Sequence, residues 1–351
     1  MKKVTVIGNG ALSLSVAARM SNRGAAVTFV DVAGKDTTCA PAMIHVTGLE
    51  AYDAEFTEIT HEYSSVAESE LVVITATGSY HAKIFEKIVP MMHSGQTVLF
   101  FPACFGAINF LAAVRERNVD ITVCEAVSFV CVCEMQGKDT LCIQNLKNSM
   151  RLAVKPADRT ADTIDELNTY FDVFTPARNF LETSLDNMNM TLHPLPLLLN
   201  VSAAERNTDT FRHYIDGISP TVGRLTEQLD CERMQIGEAF GLNLTCAYDQ
   251  LVQYYGERNL PTLTEYTSSE LGPYTAVKGY GLESRYICED VPYLLVAAAA
   301  LGKSCGVKTP VMDLCITLAS MISQKDYAKE GYSLERMGLN GLSCDEIIKS
   351  I

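Results

Sequence analysis

The chain has 351 residues, of which 48% are hydrophobic and 20% are charged, and it carries a formal net charge of −14. This length predicts about two domains with sizeable cores, and the low charged fraction excludes a disordered chain. The acidic balance excludes nucleic acid and anionic membranes as partners, because both bind clustered Lys and Arg. No apolar run approaches the roughly 20 residues of a membrane-spanning helix, and no signal peptide is visible, so we expect a cytoplasmic protein.

The first half of the sequence alternates short β-branched runs with helical stretches. Short strands are predicted at residues 4–7, 26–30, 71–75 and 97–101, longer strands at 121–133 and 141–154, and helices at 11–23, 81–91 and 158–171. Such alternation is typical of a parallel sheet with crossover helices.

The second half loses its strand-like runs and gains helix starts. Two hydroxyl–proline pairs, at 219–220 and 309–310, each place an N-cap residue before a proline at the first helical position. Thr245 is the predicted cap of a further helix at 247–255. We therefore predict an α/β domain at 1–183 and an all-helical domain at 184–351.

The sharpest local pattern follows the first predicted strand directly and consists of Gly8-Asn9-Gly10-Ala11-Leu12-Ser13. In a dinucleotide-binding turn the first glycine permits the tight turn, and the second lets the backbone approach the pyrophosphate. Ser13 stands where a third Gly or Ala is usual, and it is still small. We expect residues 8–12 to hold the pyrophosphate, because helix N-terminal amides favour an anion.

Two further residues fit this interpretation. Asp31 ends the second predicted strand, 31 − 8 = 23 residues after Gly8, and suits the acid that binds the adenosine ribose hydroxyls. Its carboxylate repels a 2′-phosphate, so NAD(H) is favoured, while Lys35 leaves NADP(H) open. Thr77 follows the strand at 71–75 and is a candidate contact for the nicotinamide half. The alternative is a glycine turn in an unrelated α/β domain.

Hydride transfer to a carbonyl or imine needs a proton donor, and histidine suits that task because its pKa lies near neutrality. Five of the six histidines lie in polar surroundings and are predicted at the surface: His45, His61, His81, His93 and His213. His193 differs, since apolar residues and two prolines surround it and Asn189, four positions earlier, shares its helical face. Local sequence fits an acid/base and a buried structural histidine equally.

The stretch from Arg285 to Pro292 carries two further candidates. Asp290 could fix the tautomer of His193 or cap the helix that begins near Pro292. Arg285 could hold a substrate carboxylate or form a surface ion pair.

Together these stretches resemble the opine dehydrogenase family, which includes octopine and nopaline dehydrogenases. The likeness lies in Asn189-x-x-x-His193-Pro194, and in Arg285-Tyr286 followed by Glu289-Asp290-Val291-Pro292. With the glycine turn and the segments around Phe101-Pro102 and Thr309-Pro310, the resemblance covers nearly the whole chain.

The resemblance implies a Rossmann dinucleotide-binding domain followed by an all-helical domain. It also implies NAD(P)H-dependent condensation of an amino acid with a 2-oxo acid, often pyruvate, through an imine. By position, His193 would be the general acid/base with Asp290 as its partner. Asn189 would orient the substrate or the histidine, and Arg285 would hold a substrate carboxylate.

Two other classes stay open. A ketopantoate reductase-like or other 2-oxo or hydroxy-acid reductase would rely on a catalytic lysine, and Lys278 is the only lysine from 158 to 302. A non-catalytic nicotinamide-binding sensor would bind without turnover. No metal ligands are assigned, because Cys131 and Cys133 are better interpreted as buried thiols on one strand face. The sequence does not fix the amino acid or the oxo acid, and it leaves a homodimer open.

Overall fold

The structure is a computed structural model that describes residues 1–33, 41–207, 210–275 and 277–351. Its backbone contacts divide the chain into two compact units, Met1–Thr183 and Ser184–Ile351. The first unit combines helices with parallel sheet, and the described elements of the second are helices. The predicted fold class is therefore confirmed.

The described part of the first unit contains twelve strands. In chain order they are β1 (Lys3–Gly8), β2 (Ala26–Asp31), β3 (Met43–Gly48), β4 (Tyr52–Glu55), β5 (Glu58–Thr60), β6 (Leu71–Ile74), β7 (Thr97–Phe100), β8 (Thr122–Ala126), β9 (Cys131–Met135), β10 (Thr140–Leu146), β11 (Met150–Lys155) and β12 (Phe174–Pro176). Eight of them form one sheet in the order β12-β11-β8-β7-β6-β1-β2-β5, parallel except between β8 and β11. From β5 to β8 this is the 3-2-1-4-5-6 order of dinucleotide-binding sheets.

Sixteen α-helices are described. Those that begin in the first unit are α1 (Gly10–Asn22), α2 (Gly78–Ile88), α3 (Gly106–Val114), α4 (Thr160–Asn168) and α5 (Phe180–Leu185). Those of the second unit are α6 (Asn189–Leu192), α7 (Pro194–Leu199), α8 (Val201–Arg206), α9 (Pro220–Ala239), α10 (Ala247–Tyr255), α11 (Leu263–Ser268), α12 (Arg285–Cys288), α13 (Val296–Ser304), α14 (Pro310–Ser323), α15 (Tyr327–Glu330) and α16 (Cys344–Ser350). A π-helical turn, Val291–Leu295, lies directly before α13.

A smaller sheet in the order β4-β3-β10-β9 was not predicted from the sequence. Helix α1 contacts this sheet through β4 and β9 and the large sheet through β1 and β2. It is therefore buried around most of its circumference, including small residues such as Ser15, Ala17 and Ala18. This double contact fixes the helix whose first turn follows the glycine pattern.

The two long strands predicted at 121–133 and 141–154 were wrong, because each run supplies two strands. The first contributes β8 to the large sheet and then β9 to the small one. The second contributes β10 to the small sheet and β11 to the large one. Each run keeps a β-strand character across the change of sheet, so the strand pattern alone does not show that its two halves belong to different sheets.

Of the three N-caps predicted from the sequence, one forms the expected side-chain hydrogen bond. Ser219 caps α9, where its side chain accepts a hydrogen bond from the Val222 amide at 3.3 Å. Thr309 precedes α14, but its side chain makes no cap hydrogen bond with the described residues. The N-cap residue of α10 is Cys246 rather than Thr245.

The backbone amides at the start of α14 instead donate hydrogen bonds to a side chain of another helix. The carboxylate of Glu232, on α9, accepts hydrogen bonds from the amides of Val311 at 2.7 Å and Met312 at 3.0 Å. A negative group suits the positive end of the helix dipole. Among the helices described, none combines the length and the apolar character needed to cross a membrane.

Candidate active site

The glycine turn at the end of β1 has the geometry that a dinucleotide needs. A Cβ added to Gly8 would lie 2.0 Å from the Thr75 hydroxyl and 2.5 Å from the Ser13 hydroxyl, so only glycine fits there. Gly10 has φ +78°, a left-handed conformation that favours glycine. Both positions therefore require glycine, but with roles other than those expected: Gly8 is needed for close packing, and Gly10 makes the turn.

Ser13 replaces the usual third small residue without disturbing the turn. It is fully buried, and its hydroxyl donates to the Asn9 carbonyl at 2.8 Å. Asn9 is the N-cap residue of α1, yet its side chain makes no cap hydrogen bond within the described residues. The amides of Gly10, Ala11 and Leu12 therefore form a helix N-terminus suited to a phosphate.

Asp31 and Thr77 lie at the same carboxyl edge of the sheet. Asp31 pairs in register with Gly8 across β1 and β2, and its carboxylate accepts the Ala33 amide at 2.9 Å. Thr77 is the half-buried N-cap residue of α2, directly after the neighbouring strand β6. This edge is where dinucleotides bind in such sheets, so these residues fit the cofactor. Lys35 lies outside the described residues.

The helix in the proline-rich segment of the second unit is interrupted at His193. Helix α6 ends at Leu192 and α7 begins at Pro194, so His193 sits between two short helices. Its amide still donates to the Asn189 carbonyl at 3.0 Å. Asn189 is half-buried at the start of α6, four residues from the histidine.

His193 and Asp290, which are 97 residues apart in sequence, form a buried pair. His193 Nδ1 and Asp290 Oδ2 are 2.7 Å apart, and the two residues are 8% and 0% exposed. Asp290 makes no side-chain cap hydrogen bond with the described residues, although it directly precedes the π-helical turn. The carboxylate therefore orients the imidazole and leaves Nε2 as the nitrogen for a substrate.

Burial controls the charge of this pair. It raises the pKa of Asp290 to about 7 and lowers the pKa of His193 well below its usual value. The nearby Arg285 guanidinium lowers the pKa of both groups, but its effect is smaller than that of burial. Both shifts follow from the cost of a charge removed from water, so the pair exchanges its proton close to neutral pH.

Arg285 opens α12 and keeps part of its side chain accessible. The side chain is 30% exposed, and Nε lies 3.3 Å from Oε2 of Glu289, whose side chain is 4% exposed. The ion pair considered from the sequence exists, but its acidic partner is buried rather than at the surface. A guanidinium held in this way is suited to a carboxylate ligand.

The aromatic surroundings of His193 were not predicted. The Tyr286 ring stacks on His193 with centroids 3.7 Å apart and planes 9° apart. His213 lies edge-on to His193 at 6.2 Å. The position of Tyr286 next to Arg285 in the motif indicated that it lies near the site. For His213, the only sequence indication of burial was its aromatic neighbours Phe211 and Tyr214.

Two histidines predicted at the surface are buried. His213 is 0% exposed, because aromatic rings enclose it despite its polar neighbours in sequence. His81 is 2% exposed, and its Nε2 lies 3.1 Å from the Ala76 carbonyl beneath the loop after β6. The polar neighbours of both histidines in sequence gave the wrong prediction, because residues distant in sequence bury the two rings.

Comparison with known proteins shows which family and which fold this chain resembles. A family model described as the alpha-helical domain of NAD/NADP octopine/nopaline dehydrogenase matches residues 176–323. The chain is 31% identical over 291 residues to an opine dehydrogenase of Arthrobacter sp. (strain 1C), covering 82% of this chain and 80% of that protein. A structure of octopine dehydrogenase with NADH and L-arginine superposes with TM-score 0.80 at 16% identity, covering 100% of this chain and 98% of that one. The NADP+-bound structure of yersinopine dehydrogenase gives TM-score 0.71 at 13% identity, covering 100% and 97%.

Proposed function

This chain belongs to the opine dehydrogenase family, and from that membership we propose that it condenses an amino acid with a 2-oxo acid and reduces the resulting imine with NAD(P)H. The product would be a secondary amine that carries two carboxylates. The observation that carries the proposal is the buried His193–Asp290 pair, with Nδ1 and Oδ2 2.7 Å apart. Similar structures with NADH and L-arginine and with NADH and pyruvate support these two substrate classes.

We assign the cofactor to residues 1–183, with 184–351 as the catalytic domain. The backbone of residues 8–12 would hold the pyrophosphate, Asp31 the adenosine ribose, and Thr77 the nicotinamide half. When bound, the reduced nicotinamide supplies the hydride. Asp31 favours NADH, because its carboxylate would repel a 2′-phosphate. Because yersinopine dehydrogenase, which has a similar fold, has a structure with NADP+ bound, NADPH is assayed as a second cofactor.

The acid–base chemistry belongs to His193. Loss of water from the adduct of amine and oxo acid requires a proton on the departing hydroxyl, and Nε2 of His193 would donate it. Asp290 stabilises the imidazolium from Nδ1, and Arg285 would bind the carboxylate of a substrate. Asn189, at the start of the short helix that ends just before His193, would orient the substrate or the histidine.

The test is NADH and NADPH oxidation with pyruvate and other 2-oxo acids, each with and without a panel of amino acids. Turnover that requires both an oxo acid and an amine supports the proposal and names the substrates. Turnover with an oxo acid alone would indicate a ketopantoate reductase-like or hydroxy-acid reductase. Cofactor binding without turnover would indicate a sensor.

A matched variant tests the mechanism. His193→Ala should retain NADH affinity, because the glycine turn is untouched, and lose about 100-fold or more in turnover. Turnover equal to that of the parent would remove His193 from this role. The homodimer and the cytoplasmic location stay predictions.

A further inference from the structure

The carbonyl of Leu192, directly before His193, lacks its usual helical donor. In an α-helix this oxygen would accept the amide of the residue four positions later, which here is Pro196 and has no N–H. Nε2 of His213 lies 3.0 Å from the oxygen and is buried with it. Since a carbonyl only accepts hydrogen bonds, Nε2 carries the ring proton and donates it.

The other ring nitrogen makes charging of His213 unfavourable. Nδ1 is buried and has no hydrogen-bond partner among the described residues. Burial lowers the pKa of His213 to about 3. The ring is therefore neutral, with one fixed tautomer, wherever the enzyme is folded and active.

His213 also supports the ring that stacks on His193. It meets Tyr286 edge-on, with centroids 4.7 Å apart and planes at 71°, and it contacts Tyr214 in the same way at 4.7 Å. Tyr286 in turn lies flat against His193. One side chain thus contacts both the backbone that precedes His193 and the aromatic face that limits its tilt.

We infer that His213 is a positioning residue, which holds His193 in its reactive orientation through the Leu192 carbonyl and the Tyr286 ring. The inference rests on the acid/base role proposed for His193. The titratable groups whose rings face His213 are His193, Tyr214 and Tyr286. Because His213 stays neutral, it adds no cation there, and the proton affinity of His193 is left to Asp290, Arg285 and burial.

Two substitutions separate the hydrogen bond from the packing. His213→Gln places an amide N–H where Nε2 stood, so it can still donate to Leu192. His213→Phe keeps an aromatic ring against Tyr286 but has no donor. His93→Gln, at an exposed histidine of the first unit, is the matched control. Each variant is assayed for kcat, KM, NADH affinity, the pH profile of kcat and the unfolding midpoint.

The expected result is a lower kcat with no loss of affinity for NADH. His213→Phe should lower kcat by about 10- to 100-fold, the usual effect of a small displacement of a catalytic group, with NADH affinity unchanged. It should also shift the pH profile, because a displaced imidazole alters its hydrogen bond to Asp290. His213→Gln should restore kcat to within about threefold and return the profile to that of the parent. Equal kcat in the parent and the Phe variant, or equal losses in the Gln and Phe variants, would overturn the inference.

A second measurement does not depend on turnover. The proton of the His193–Asp290 hydrogen bond should give a far-downfield 1H NMR resonance in the parent and the Gln variant, and it should shift or broaden in the Phe variant. If Phe at 213 prevents folding, His213→Asn replaces it, since the shorter Asn amide does not reach Leu192. An unchanged resonance in the folded variant without the donor would reject positioning. A parent without amine-dependent turnover would reject the proposed function alone.

Discussion

At the scale of single residues, the protonation of His193 cannot be separated from that of Asp290. Their side chains share a 2.7 Å hydrogen bond in a buried site, so protons bind to the pair rather than to either group. With Nδ1 protonated and Asp290 ionised, the pair carries one negative charge and Nε2 is a base. One more proton makes the pair neutral and Nε2 an acid.

This gives a pH dependence with a definite sign. Burial raises the pKa of Asp290 to about 7, so the pair holds its extra proton below that pH and loses it above. The reductive kcat, measured with saturating amine so that amine ionisation enters KM, should fall as pH rises above about 7. The oxidative kcat should rise over the same range.

Asp290→Asn is the control for that profile. Asparagine can still accept the Nδ1 hydrogen bond, but it cannot ionise, so the inflection near neutrality should disappear or move. We expect kcat to fall by about 100-fold or more as the imidazolium loses its counter-charge. A reductive kcat that climbs from pH 7 to pH 9 in the parent would contradict this proton assignment.

At the scale of elements, α9 is tied to its neighbours by one fully buried cation. The Arg233 guanidinium is 0% exposed and lies 3.0 Å from Asp186 and 2.7 Å from Asp230. It also donates to the carbonyls of Leu185 and Thr245. Asp230 in turn accepts from the first amide of α10, so a single network joins α9, α10 and the chain that leads into α6.

Removing this cation should therefore destabilise the second unit strongly. Arg233→Met leaves two buried carboxylates without their cation, and we expect the free energy of unfolding to fall by about 3–5 kcal/mol. Arg224→Met, at an exposed position of the same helix, should change it by about 0.5 kcal/mol or less. Urea denaturation of both variants measures the difference. Equal effects would mean that the network is dispensable.

Elements set by local pattern were predictable, and elements set by distant contacts were not. The glycine turn, strand β1 and the break at His193 follow from residues adjacent in sequence, so the sequence suffices for them. The cap of α14 comes from Glu232, nearly eighty residues earlier, and no local signal marks it. In the small sheet, β3–β4 and β9–β10 are local pairs, but the pair that joins them, β3 with β10, spans more than ninety residues and has no local signal.

The candidate site divides in the same way. His193, Asp290, Arg285 and Asn189 could be named in advance, since the prolines and the Glu-Asp-Val-Pro run single them out. Their mutual distances could not be obtained from the sequence. The burial of His213 was missed because one of the rings that enclose it, Tyr286, lies 73 residues later in the sequence (286 − 213 = 73).

At the scale of the whole molecule, the net charge of −14 opposes the proposed ligands. NADH and 2-oxo acids are anions, so we expect the long-range field of the protein to slow their approach, whereas the proposed role of Arg285 is to bind the oxo acid locally. Raising the ionic strength from about 0.01 M to 0.15 M shortens the Debye length from roughly 30 Å to 8 Å. We expect kcat/KM for the oxo acid to rise by roughly twofold over this range.

A zwitterionic amino acid serves as the internal control. It has no net charge, so its kcat/KM should change little over the same salt series. A fall in kcat/KM for the oxo acid with added salt would show that local positive charge, and not the overall acidity, governs its capture.

The π-helical turn at Val291–Leu295 gives the chain an unusual sensitivity to length. Such a turn holds one residue more than an α-helical turn of the same span. If one codon of this segment were deleted, α12 and α13 could both still form, but the residues before the turn would rotate by about 100° about the helix axis. Every functional group would remain in the protein, yet the Asp290 carboxylate would point away from the imidazole. Here a reading-frame-preserving deletion would be more damaging than many substitutions.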